Sequence, residues 1–184
     1  MLRNSVRRYG YVAQGLHWLI VLLVFLQIYL AVAAFGANDP GRESELLALH
    51  RPLGITILGL ILLRLGWRLI NAVPPAPRTI AAPLRFVARA THWLLYALLI
   101  SIPLVGWVKA GSEGIDVNYF GWFTVPNWLG PEPDLSQPLR MTHLYLNTAL
   151  LGLVSLHVLA ALWHQFWLKD ATLRRMLPVR DAHH

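Results

Sequence analysis

Eight histidines in a chain without cysteine are the residues with the widest chemistry here. Imidazole ligates metals, moves protons and changes charge near neutral pH. The missing thiols remove thiolate zinc sites, iron–sulfur clusters, structural disulfides and covalent c-type haem attachment. Any metal must therefore be held by His or carboxylate. His183 and His184 end the sequence, read as a purification-tag remnant and are set aside. The other six are His17, His50, His92, His143, His157 and His164, each inside or at the edge of a segment that reads as a helix.

Those segments follow from composition. The chain is 56% hydrophobic and 14% charged, with a mean hydropathy of +0.48, against about 45–50% apolar and 25% charged in soluble domains. Residues 9–38, 52–63, 90–108 and 141–168 carry no Asp, Glu, Lys or Arg. Three of these runs reach spanning length, about 18–25 residues. The second is cut short by Arg64 and Arg68, which snorkel from about two turns inside a helix end. The expected fold is all-α, an integral membrane four-helix bundle forming a single transmembrane domain over 1–184. Its helices run roughly over 12–35, 49–71, 88–110 and 139–168, followed by a cytoplasmic tail at 169–184. The first helix lacks a small-residue cleavage pattern and is too long for a signal-peptide core, so it is expected to be retained.

Charge placement orients the helices. Twelve of the 16 basic residues lie in the N-terminal arm (Arg3, Arg7, Arg8), around the second connection (Arg64, Arg68, Arg78, Arg85, Arg89) and in the tail (Lys169, Arg174, Arg175, Arg180). Arg42, Arg51, Lys109 and Arg140 fall on the other side with seven of the nine acids, a local sum of −3. The positive-inside rule then places both termini in the cytoplasm. The pI near 10.4 is thus a topology signal, and nucleic acid is not the expected partner; membrane lipid is. Residues 71–83 hold four prolines and read as a stiff inner linker. Residues 111–138 form an outer loop whose Tyr119, Phe120, Trp122, Phe123 and Trp128 suit a membrane interface. Pro103 and Gly106 are expected to bend the third helix.

His143 and His157 lie 14 residues apart on the fourth helix, about 40° short of four full turns and about 21 Å along the axis. Both imidazoles face one side, one in each leaflet. Each needs a partner at its own depth. His50, at the outer start of the second helix, is the outer candidate; at the inner level both His17 and His92 oppose His157. A single zinc ion wants about four ligands in a small sphere, often with a carboxylate, and the spans contain none. Bis-imidazole haem needs one ligand on each side of a large apolar ring, which a bundle core supplies. Its propionates need cations. Arg51 and Arg140 flank the outer pair, and Arg64, 14 residues after His50, reaches the inner level on His50's face.

The chain resembles the bacterial cytochrome b561 family of four-helix, di-haem, quinone-linked membrane cytochromes. The resemblance spans roughly 8–178. It rests on LHWLIVLLV in helix 1, ALHRPLGITILGLILLRLGWRL in helix 2, MTHLYLNTALLGLVSLHVLAALWHQFWLKD in helix 4, and TLRRMLP in the tail. It implies two haem b groups, their iron held by His17 with His157 and by His50 with His143, leaving the role of His92 open. It also implies electron transport at the inner membrane to or from ubiquinone, one branch of the family oxidising superoxide at the periplasmic side. By the same resemblance, His164 sits two turns beyond His157 as a proton or hydrogen-bond donor to ubiquinone, with Trp167 and Lys169 at the interface. Gln165 stands where the family pattern has a second His.

The resulting expectation is a superoxide:ubiquinone oxidoreductase, with Arg51 and Arg140, joined by Lys109, steering the superoxide anion. The alternative is an electron-relay cytochrome b subunit of a periplasmic dehydrogenase or hydrogenase, with the outer loop as its docking surface. A metal or proton transporter would want carboxylates in its spans.

Overall fold

A computed structural model describes residues 1–6, 8–75 and 80–177. Arg7, Arg78, Arg180, His183, His184 and part of the proline-rich linker lie outside the described residues. Four helices follow in order: α1 (Tyr11–Phe35), α2 (Pro40–Ile70), α3 (Ala82–Ser112) and α4 (Pro133–Phe166). All four are long and apolar enough to cross a membrane. A two-stranded hairpin, β1 (Val117–Tyr119) and β2 (Phe123–Val125), separates α3 from α4, and a 3-10 turn at Arg174–Met176 follows α4.

Three helices begin six to nine residues before the limits that hydropathy sets. Each of the three carries proline in its first turn, and that of α2 is also capped by a side chain. The Asp39 side chain accepts the Arg42 N–H at 2.9 Å, Pro40 occupies the first turn and Glu43 faces the positive end of the helix dipole. Proline also stands in the first turns of α3 and α4.

The core is built mainly by α1 and α2. Ile20, Val24, Leu30 and Ala34 meet Leu46, Leu53, Ile57 and Ile61, and Tyr96 of α3 closes the cluster. α1 packs on α2, α2 on α3, and α3 on α4. Leu150 is the buried residue of α4, and that helix leaves Leu144, Leu151, Leu159 and Phe166 exposed, as suits a lipid-facing surface.

The outer loop is more ordered than an anchored coil. Val117 pairs with Val125 and Tyr119 with Phe123. Phe120 (φ 52°) and Gly121 (φ 84°) make the turn, a left-handed pair that matches strand twist and suits glycine at its second position. Val117 and Val125 are buried with Ala110 against Ile55 and Trp107, and the Tyr119 hydroxyl lies 3.1 Å from Thr56 Oγ1 on α2. Trp122 and Trp128 stay largely exposed, consistent with an interfacial position.

The opposite end carries the N-terminal arm and the segment that follows α4. Asn4 Nδ2 donates to the Ala72 carbonyl at 2.9 Å, Arg8 Nη2 to Leu177 at 2.7 Å and Trp18 Nε1 to Met176 at 2.8 Å. Gln14 Nε2 donates to Arg175 at 3.1 Å. The segment after α4 is thereby strapped across the start of α1.

Candidate functional site

Two histidine pairs lie at the two ends of the bundle. His50 of α2 faces His143 of α4 with ring centroids 6.5 Å apart and ring planes at 77°. His17 of α1 faces His157 of α4 at the same 6.5 Å and 87°. Two imidazoles bonded to opposite sides of one metal at about 2.0–2.1 Å each bring their centroids to roughly 6.3 Å. The Nδ1 atoms of His50 and His143 are buried without a hydrogen-bond partner. A ring nitrogen on each is therefore uncommitted to the protein, as a metal donor must be. His92 of α3 lies nearer to His157, 5.5 Å at 74°. That is an edge-to-face ring contact, too short for a metal held between trans imidazoles.

Neighbouring residues fix the outer pair. Gln27 Nε2 donates to the His50 carbonyl at 2.9 Å, tying α1 to α2 at that turn. Gly106 of α3 packs under the second ring: a Cβ there would lie 3.0 Å from His143 Cε1. Spacing arguments missed both. Gln27 is a polar residue in a largely apolar helix, and Gly106 reads from sequence as a helix-bending position. Gly106→Leu is expected to cost about 1–3 kcal/mol by overpacking and to push the His143 ring off its partner. Thermal melting and haem quantitation check this, and a variant with wild-type values for both excludes the role.

Arg64 Nη1 donates to the Ala13 carbonyl at 2.7 Å, which sets its guanidinium one turn from His17, at the inner pair's level. Tyr9, Arg68 and Tyr96 line the same small cavity, and Arg68 lies 5.8 Å from the Trp93 and Tyr96 ring centres. Burial pushes the Tyr9 phenol above its ordinary value, against the lowering effect of Arg68 and Arg64, so it stays protonated at neutral pH. At the other end Arg51 is partly buried and Arg140 exposed. Lys109 is held by Glu113 at 2.8 Å, so its charge is compensated, and Glu113 also lies within electrostatic reach of Arg51.

His164 is engaged by a residue that helix geometry could not reach: its Nδ1 lies 2.6 Å from Asp170 Oδ2. The Trp167 ring stacks on Trp163, centroids 5.0 Å apart, and remains mostly exposed, as does Lys169. His164, Trp167 and Lys169 thus sit at the same end of the bundle, but the ring partner of His164 is Asp170.

Comparison with known proteins identifies the family. The family described as prokaryotic cytochrome b561 matches residues 8–179. Cytochrome b561 homolog 2 of Escherichia coli K12 is 32% identical, over 95% of this chain and 93% of its own length. The probable superoxide oxidase CybB of Yersinia pestis is 30% identical, over 94% and 97%. Cytochrome b562 of Cereibacter sphaeroides is 29% identical, over 90% and 92%. With four membrane-length helices and imidazoles facing one another between them, the chain belongs to the prokaryotic cytochrome b561 family, multi-pass bacterial membrane proteins that bind b-type haem and transfer electrons.

Proposed function

We propose that this protein carries two b haems, one between His50 and His143 and one between His17 and His157, and moves electrons across the inner membrane from superoxide to ubiquinone. The observation that carries the reading is the equal 6.5 Å separation of two imidazole pairs on a shared helix. Haem held by these imidazole pairs would supply a one-electron carrier at each depth. Arg64 at the inner level, and Arg51 and Arg140 at the outer, are the cations proposed to meet the propionates.

The excess of basic residues around the termini orients that end to the cytoplasm and the hairpin end to the periplasm. Arg51 and Arg140 then attract the superoxide anion. His164, beside Trp167 and Lys169, faces the quinone at the cytoplasmic end. The reaction balances when two superoxide anions each lose one electron to become dioxygen. One ubiquinone gains those two electrons with two protons to become ubiquinol.

The 30% identity to a protein named probable superoxide oxidase supports superoxide as donor over the relay-subunit reading. Stopped-flow mixing of the purified oxidised protein with pulsed superoxide tests it. Rapid haem reduction is expected, followed by reoxidation on adding a short-tailed ubiquinone. Haem that stays oxidised under superoxide rules out the donor, and the relay subunit of a periplasmic dehydrogenase or hydrogenase then takes its place.

A further inference from the structure

We propose that Asp170 is a positioning residue for His164, fixing the imidazole tautomer so that Nε2 is the ring atom that gives a proton to a quinone oxygen. The proposal rests on the reading above that quinone is reduced at the end of the bundle carrying the termini.

The backbone after α4 is shaped to make this pair. The Trp167 and Leu168 N–H groups both donate to the Trp163 carbonyl, at 3.0 and 3.1 Å, which ends the helix. Lys169 then takes a left-handed conformation, φ 50°, an uncommon one for a residue with a side chain. The chain doubles back, and the Asp170 N–H reaches the His164 carbonyl at 3.1 Å. Asp170 thus returns to the ring it follows by six residues, with Oδ2 2.6 Å from Nδ1. Its other oxygen accepts the Thr172 N–H at 2.8 Å, and Thr172 Oγ1 stands 3.5 Å from the same ring nitrogen. Beyond Thr172, the bonds from Gln14 and Trp18 to Arg175 and Met176 hold the segment on α1, the helix that bears His17.

The chemistry follows from which group can donate. Burial raises the Asp170 carboxyl, but hydrogen bonds from Thr172 and His164 outweigh it and hold the group below its ordinary range. At neutral pH it is a carboxylate and can only accept. The hydrogen between Asp170 and His164 therefore sits on Nδ1, leaving Nε2 as the exchangeable position. The two side chains are only 21% and 16% exposed, so the pair is sheltered yet close to cytoplasmic water. Quinone reduction takes two electrons, delivered singly through the protein, and two protons. A protonated His164 gives one proton from Nε2 to a quinone oxygen, keeps its Nδ1 hydrogen on Asp170, and regains a proton at Nε2 from water. The second proton comes from water. The carboxylate holds Nδ1 and aims the free edge of the ring, as the acidic partner does in other His–carboxylate pairs.

Ring-nitrogen NMR of histidine-labelled, haem-reduced protein in nanodiscs tests the tautomer, with His164 assigned from the signals lost in His164→Gln. The expected wild-type spectrum has Nδ1 protonated, and Asp170→Asn shifts the population toward Nε2–H. A wild-type spectrum with bare Nδ1 overturns the proposal without need of any Asp170 variant. In the kinetic arm, Asp170→Asn lowers kcat for a short-tailed ubiquinone roughly tenfold while KM changes by less than about twofold, and Asp170→Glu restores most of the rate. An Asp170→Asn protein with wild-type kcat defeats the positioning role and leaves quinone reduction standing. A wild-type protein that reduces no quinone instead defeats the functional reading on which the proposal rests.

Discussion

His157→Ala is expected to leave the protein with one haem, and His143→Ala to leave it with the other, each roughly halving the reduced b-band amplitude. Both residues are on α4, and each faces one imidazole on a different helix at 6.5 Å. Removing either would leave its pair with one of the two imidazoles proposed to hold a haem. His17→Ala and His50→Ala should reproduce the two losses separately. His92 is the discriminating case, because it lies closer to His157 than His17 does, at 5.5 Å. Trans coordination would need roughly 6.3 Å between centroids, so the proposed assignment makes the closer ring a packing contact and His17 the ligand. His92→Ala should therefore keep two haems while losing the ring contact, worth about 0.5–1.5 kcal/mol. Pyridine haemochrome titration of the five variants is the measurement. One haem in His92→Ala together with two in His17→Ala would reverse the inner assignment.

What could be read from sequence depended on whether a residue belonged to a regular helix. His143 and His157 share a face because 14 residues nearly complete four turns, and the same arithmetic carried Arg64 from His50's level to that of His17. Helix rotation gives direction and depth but not distance across a bundle, so spacing alone left His17 and His92 equivalent, and the choice of His17 came from the family resemblance. Helix ends escaped for a related reason. Charge-free runs mark the hydrocarbon core, whereas α2 begins at a cap made by Asp39 and Pro40, outside that core. The hairpin at 117–125 had its turn signal in Phe120–Gly121, masked by aromatic residues that also suit a membrane surface. Asp170 lay beyond any periodicity argument, since its approach to His164 depends on one left-handed residue, Lys169.

Charge reversal at Arg51 should slow haem reduction by superoxide roughly fivefold at low salt. The estimate follows from Coulomb's law: a unit charge about 8 Å from an anion in water is worth about 0.5 kcal/mol, and reversal counts twice. Arg51 adjoins His50 and is partly buried, so bulk water screens it less than the exposed Arg140, where reversal should cost less. Lys109 contributes little, because Glu113 holds it at 2.8 Å. This makes Glu113 the informative opposite: Glu113→Gln frees Lys109 and relieves Arg51, and should raise the rate about twofold. All these effects should shrink as ionic strength approaches 0.15 M, where the Debye length is about 8 Å. Quinone-side rates should not change, since His157 and His164 lie about 21 Å or more from His143 along α4. Haem content is matched between variants first, so that a lost cofactor is not mistaken for lost steering. Stopped-flow rates that ignore both salt and the sign of residue 51 would mean that superoxide reaches its electron acceptor by another path. A rate that rises in Glu113→Gln and falls in Arg51→Glu ties its arrival to this charge cluster beside His50.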